Sequence, residues 1–130
     1  MPRQAVIDRV PPLPYDVVIH EAALRIKVGG AAVAGAQLAH ILRASDRENV
    51  TVRVIPFAAD DFAGAGHSML LVRGPVPQLD TVQLDAAHGS TFLDAEPQLK
   101  RYRARLDRVG RSALDSEKSR KLIHRIAADI

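Results

Sequence analysis

Val17-Val18-Ile19-His20-Glu21-Ala22-Ala23-Leu24 is the stretch on which the reading of this chain turns. Three β-branched residues in a row favour an extended, buried segment, so residues Tyr15 to His20 read as a strand. The polar pair His20-Glu21 stops it, and Glu21 to Leu24 reads as a short helical turn. Gly29-Gly30 then forms a hinge before a helix over Ala31 to Ala44. Ala34, Leu38, Ile41 and Leu42 recur there at i, i+4, i+7 and i+8, one stripe of a helix. After a polar exit at Ser45 to Asn49, Val50 to Phe57 reads as a second strand. Its Val50, Val52 and Val54 share one face, and Thr51, Arg53, Ile55 and Phe57 the other. Neither face is wholly polar, so both are expected to be partly covered.

Outward from this core, Gln4 to Arg9 reads as the end of a helix. Pro11-Pro12-Leu13-Pro14 breaks it, because proline lacks a donor and restricts the residue before it. Downstream, His67 to Arg73, Thr81 to Asp85 and Thr91 to Leu93 read as three strands. They follow one another too closely for parallel crossovers and are expected to form an antiparallel meander. Asp94 is placed to cap a helix that carries Leu99, Tyr102, Leu106 and Val109 on one side and weakens or ends at Gly110. Asp115 caps a last helix whose apolar stripe is Leu122, Ile123, Ile126, Ala127 and Ile130. The expected fold class is α+β, a mostly antiparallel sheet of about five strands with helices packed on one side.

With 130 residues, 47% apolar and 25% charged, the chain has the make-up of one ordinary globular domain. It has no cysteine, which excludes disulfides and thiolate metal sites. No apolar run approaches the roughly 18 residues of a membrane span, and no apolar signal core follows Met1, so a cytoplasmic location without membrane contact is expected. The net charge is +3, with basic residues gathered between Lys100 and Arg125 among interspersed acids. Aromatic content is only 4%, too little for base-stacking platforms.

The order of elements resembles the C-terminal, effector domain of antitoxin-like actinobacterial regulators that carry an Xre-type helix-turn-helix at their N-terminus. The likeness runs from Arg3-Gln4 to Ile126. It rests on the Val17 to Leu24 segment, on Val82-Gln83-Leu84-Asp85, on His88-Gly89-Ser90-Thr91-Phe92-Leu93-Asp94, on Arg101-Tyr102-Arg103, and on the final helix from Asp115 to Arg125. It implies a single regulator-type effector domain over residues 1–130, a homodimer, and a small companion protein as partner. The helix around Leu122, Ile126 and Ile130 is the candidate dimer interface. No helix-turn-helix pattern precedes Pro11, so no specific DNA binding is expected of this chain alone. A native start at Met1 weakens the regulator reading; a start within a longer chain favours it. The sequence departs from the family at His20, where an acid is usual, around Asp60, Asp61, Phe62, His67, Ser68 and Met69, and at His88.

These departures suggest chemistry. His20, His67 and His88 fall at strand ends or in a turn, and imidazoles suit proton transfer near neutrality. Glu21 and Asp85 end apolar strands, where burial would raise a carboxyl pKa and fit it for acid–base work. The candidate catalytic groups are thus His20, His67, Asp85 and His88, and the candidate ligand-binding groups are Glu21, Phe57, Phe62, Met69 and Phe92. They would converge on a cavity bounded by the first strand's end, the Phe57 to His67 loop and the Asp85 to His88 turn. No metal is expected, since no histidine pair stands at i, i+4 and no His-Glu-x-x-His occurs. No cofactor is expected either: the glycines at Gly64 and Gly66 lack a phosphate-loop ending, and no dinucleotide fingerprint follows a strand. Each of these residues also has a plain structural reading as cap, turn or core. Two functions follow. One is a domain sensing an apolar small molecule or a protein for an antitoxin-like regulator. The other is a stand-alone, cofactor-free cyclase, isomerase or lyase of natural-product biosynthesis.

Overall fold

The computed structural model describes residues 14–27, 29–59, 68–72, 80–86 and 89–130. The elements run β1 (Tyr15–His20), α1 (Glu21–Arg25), α2 (Ala31–Ser45), β2 (Val50–Ile55), β3 (Ser68–Val72), β4 (Thr81–Ala86), β5 (Gly89–Leu93), α3 (Glu96–Ser112) and α4 (Ser116–Asp129). The chain divides into two compact units, residues 1–59 with 113–130, and residues 60–112.

The fold is α+β, but the single, mostly antiparallel five-strand sheet is not what forms. Among the described residues the strands form two sheets. β1 and β2 pair in parallel, from Tyr15 opposite Val50 to His20 opposite Ile55. The reason is the connection: α1 and α2 carry the chain back to the end where β1 began, which is what a parallel pair requires. β3, β4 and β5 form the expected antiparallel meander, with Ser68 and Ser90 both opposite Asp85.

In the first unit, alternation along β2 turns Val50, Val52 and Val54 into a core built with Leu24, Leu38, Leu42, Leu122, Ile123 and Ile126. The α4 stripe, expected to be a dimer face, is therefore spent inside its own chain: Ile126 is 1% exposed and Leu122 7%. Gly29 and Gly30 take φ of +80° and +93° between α1 and α2. A side chain at either would be strained, and one at Gly29 would also press on Val33. The α2 stripe behaves as its spacing indicates, with Ala34, Leu38 and Leu42 buried.

The second edge of β2 is closed by the chain that leads into α4. In a parallel pair, alternate residues of a strand point their backbone groups away from the partner. Val54 does so. Its N–H donates to Ser119 Oγ at 2.8 Å, and its carbonyl accepts from the Leu114 N–H at 2.9 Å. Arg53 adds Nε to the Leu114 carbonyl at 2.9 Å and Nη2 to the Ala113 carbonyl at 3.0 Å. Asp115 caps α4 by accepting from the Lys118 N–H at 2.7 Å, as its position indicates. Arg120 then reaches the C-terminal end of α2, at the Leu42 carbonyl, Ser45 Oγ and Asp46.

In the second unit, α3 begins at Glu96, with the Ala95 carbonyl accepting from the Gln98 and Leu99 N–H groups, so its start lies a residue past the expected Asp94 cap. It continues through Gly110 to Ser112 rather than ending there. Leu99 and Val109 are buried. Arg103 donates to Asp80 at 2.9 Å, and Asp80 is only 3% exposed at the head of β4.

Ser119→Ala tests the edge closure. Ser119 and Val54 are both fully buried, so the change strands the Val54 N–H, at a cost of about 1–3 kcal/mol. Ser116→Ala, exposed on the same helix, is expected to stay within about 0.5 kcal/mol of wild type. Urea denaturation of both variants measures the difference; equal midpoints would show that the Val54 bond is not what holds this edge.

Candidate functional site

The parallel register ends with His20 opposite Ile55, and this end is where three of the candidate residues meet. Beyond Ile55 the next residue, Pro56, has no N–H. The next donor is Phe57, and Glu21 takes it: the Phe57 N–H donates to Glu21 Oε1 at 2.9 Å. Glu21 Oε2 accepts from Arg25 Nε at 2.6 Å, an i, i+4 pair along α1. Arg25 also faces Asp129 of α4 at 3.6 Å. Glu21 is 7% exposed, and both its oxygens have partners.

His20 caps α1. Its Nδ1 accepts from the Ala22 N–H at 3.0 Å. A ring nitrogen that accepts is unprotonated, so the neutral ring carries its proton on Nε2. The ring meets Phe57 edge-on, with centroids 5.5 Å apart and planes at 68°. The Phe57 side chain is otherwise offered to solvent, at 60% exposed.

The electrostatics of Glu21 run opposite to the expectation of a raised pKa. Burial alone would push the carboxyl up. The Phe57 N–H and the hydrogen bond and charge of Arg25 together outweigh burial and hold it below its ordinary 4.5. Arg25 is correspondingly raised, through its hydrogen bond to Glu21. Glu21 is therefore an ionised clamp at neutral pH. It is not a protonated acid waiting to donate.

The remaining candidates belong to the other unit or lie outside the described residues. Phe62, His67 and His88 lie outside the described residues, as do residues 60–67 of the Phe57 to His67 loop expected to bound the cavity. Met69 and Asp85 are placed only by backbone register, opposite Leu84 on β4 and opposite Ser68 and Ser90 respectively. Phe92, on β5 opposite Gln83, is 65% exposed. Among the described residues no group of three or more His, Cys, Asp or Glu side chains could hold a metal ion, and no helix is long and apolar enough to cross a membrane. A cavity of about 300 Å³ does exist in the first unit, lined by Ser45, Val50, Thr51, Val52, Ser116, Glu117, Arg120 and Ile123. None of the candidate residues lines it.

A family model described as a domain of unknown function (DUF5753) matches residues 1–125. The chain belongs to the DUF5753 family. Comparison with curated proteins and with solved structures finds no match. In this DUF5753 domain the candidates Glu21, His20 and Phe57 come together, and Glu21 takes the structural reading open to it, with Arg25 as a partner that was not expected. The signal was available, since Glu21 and Arg25 stand four apart on a helix. Ser119, Arg53 and the Asp80–Arg103 pair were also missed; their partners are 23 or more residues away, and no local pattern announces them.

Glu21→Gln is expected to lower stability at pH 7 by about 1 kcal/mol, because the Gln carbonyl still accepts from the Phe57 N–H while its NH2 group meets the Arg25 Nε donor, at a site where Arg25 is 36% exposed and its charge is partly screened. A carboxyl with a depressed folded pKa contributes stability that is complete above about pH 4.5 and is lost as pH falls through the folded value. The melting temperatures of wild type and variant should therefore converge between pH 4.5 and pH 3. Parallel curves over that range would show that the charge of Glu21 contributes nothing.

Proposed function

We propose that this DUF5753 domain is the effector half of an antitoxin-like, Xre-type regulator, working in the cytoplasm as a homodimer that recognises a small companion protein. The observation that carries the reading is the family match over residues 1–125. It is supported by how the candidate residues are used. His20 and Glu21 hold backbone N–H groups, an architectural task, while Phe57 beside them stays exposed. An exposed aromatic ring on a rigid end of a sheet is the kind of anchor that protein interfaces use. Recognition of an apolar small molecule would engage the same ring. This domain alone is proposed to bind no DNA sequence-specifically. The reading as a cyclase, isomerase or lyase has less to stand on, because the carboxylate beside His20 is held ionised and doubly bonded.

Isothermal titration of the purified chain with the small protein encoded beside it tests the proposal. Saturable binding at micromolar affinity or tighter is expected. Phe57→Ser should weaken it at least about tenfold without changing the melting temperature, since the Phe57 N–H is retained. Absence of binding, together with turnover of a small molecule that His20→Ala abolishes, would replace this reading with the enzyme.

A further inference from the structure

We infer that the outer face of α3 is a contact surface for the phosphate backbone of duplex DNA, independent of base sequence. This goes beyond the effector reading and stands whether or not that reading holds. Between Glu96 and Ser112, six cations face two acids, a net +4 on one helix of a chain whose net charge is +3. Arg103 is turned inward to Asp80 and Glu96. The other five are Lys100, Arg101, Arg105, Arg108 and Arg111. At 3.6 residues per turn they fall within about 140° of arc and about 16 Å of axis. The opposite arc holds the buried Leu99 and Val109. Lys100, Arg101, Arg108 and Arg111 are exposed, and Arg105 is half-buried with its guanidinium 5.2 Å from the centre of the Tyr102 ring. That stacking holds one cation in a fixed place at little entropic cost. Ala104, exposed in the middle of the arc, leaves room for a close approach. Asp107, at the edge of the arc, is the one acid on it, and Glu96 stands at the start of the helix.

The chemistry of the face selects its partner. A protein interface is anchored by buried aromatic or aliphatic side chains. This arc offers none, because the large apolar residues of α3 point the other way. Single-stranded nucleic acid is held by stacking on exposed aromatics, and the one aromatic residue of α3 is half-buried under Arg105. What remains is a row of cations, four of them arginines, whose planar forks suit phosphate oxygens. Such binding is weak and salt-dependent, with log K falling by about 0.9 per neutralised phosphate for each unit of log salt.

The test is fluorescence anisotropy of the whole chain with a labelled 20-base-pair duplex of arbitrary sequence, from 25 to 150 mM KCl, with polyglutamate as the acidic-peptide probe. Wild type should bind the duplex at 50 mM KCl, with a slope of about −4, and bind polyglutamate far more weakly. The triple change Lys100→Glu, Arg101→Glu, Arg111→Glu should lower affinity at least tenfold and reduce the slope by roughly 2–3. Lys118→Glu, Lys121→Glu, Arg125→Glu makes the same charge change on exposed positions of α4 and should leave the slope near wild type. If circular dichroism shows the α3 triple unfolded, the milder Lys100→Gln, Arg101→Gln, Arg111→Gln is read by the same slope. No binding at 50 mM KCl, equal losses from the two triples, or polyglutamate binding as tight as the duplex would overturn the inference, the last in favour of an acidic protein partner.

Discussion

Val54 offers its N–H and carbonyl to the edge of the sheet that β1 does not cover, and Ser119 and Leu114 take both. A backbone pair at a buried position must find partners somewhere, and here it finds them about 60 residues along the chain. That closure brings residues 113–130 into one unit with β1 and β2 and leaves residues 60–112 as the other. Near Val54, the place where a further strand would add beside β2 is occupied by the segment that leads into α4.

Once the edge is closed, the rest of the first unit follows from what is left to satisfy. Ser119 donates in turn to the Leu114 carbonyl at 3.3 Å, and Arg53 shares that carbonyl, so one short segment gathers several of the polar groups near it. α4 is thereby fixed with Leu122, Ile123 and Ile126 against the valines of β2. At the far end of the strand pair the same problem recurs and Glu21 solves it, by taking the N–H that follows Pro56. A charged acceptor suits this place because Arg25 lies one helical turn away to balance it. His20, read as a departure that could carry chemistry, and Glu21, read as a strand-end carboxylate, each hold a backbone N–H.

Functional interest consequently moves from the buried groups to the surface. Phe57 is exposed while Glu21 holds its backbone N–H, which lowers the cost of ordering the ring on binding. The second unit shows the same division of labour on one helix. Arg103 is tied to the buried Asp80, while Arg101 is exposed and Arg105 stacks on Tyr102. Neighbouring residues of identical type thus do different things, because a helix turns each by about 100° from the last.

Much of this was legible in residue order. Tyr15 to His20 is a strand because three β-branched residues cannot sit easily elsewhere, and β1 has those bounds. The stripe in α2, the alternation in β2, the antiparallel meander and the Asp115 cap are all local patterns, set by a side-chain period or by a short connection. The arrangement of strands was not legible in the same way. Whether β1 and β2 join the meander depends on where backbone groups at Val54 find partners, and that is a pairing between residues 54 and 114–119. The state of Glu21 was likewise beyond local reading. Burial alone predicts a raised pKa, and only the folded chain brings up the Phe57 N–H that reverses it. The sequence by itself determined the elements and their buried faces, because these depend on neighbours three or four residues away. Tertiary structure decided how the sheets divide and which polar residues serve as joints, because those depend on groups that meet only after the chain has folded back on itself.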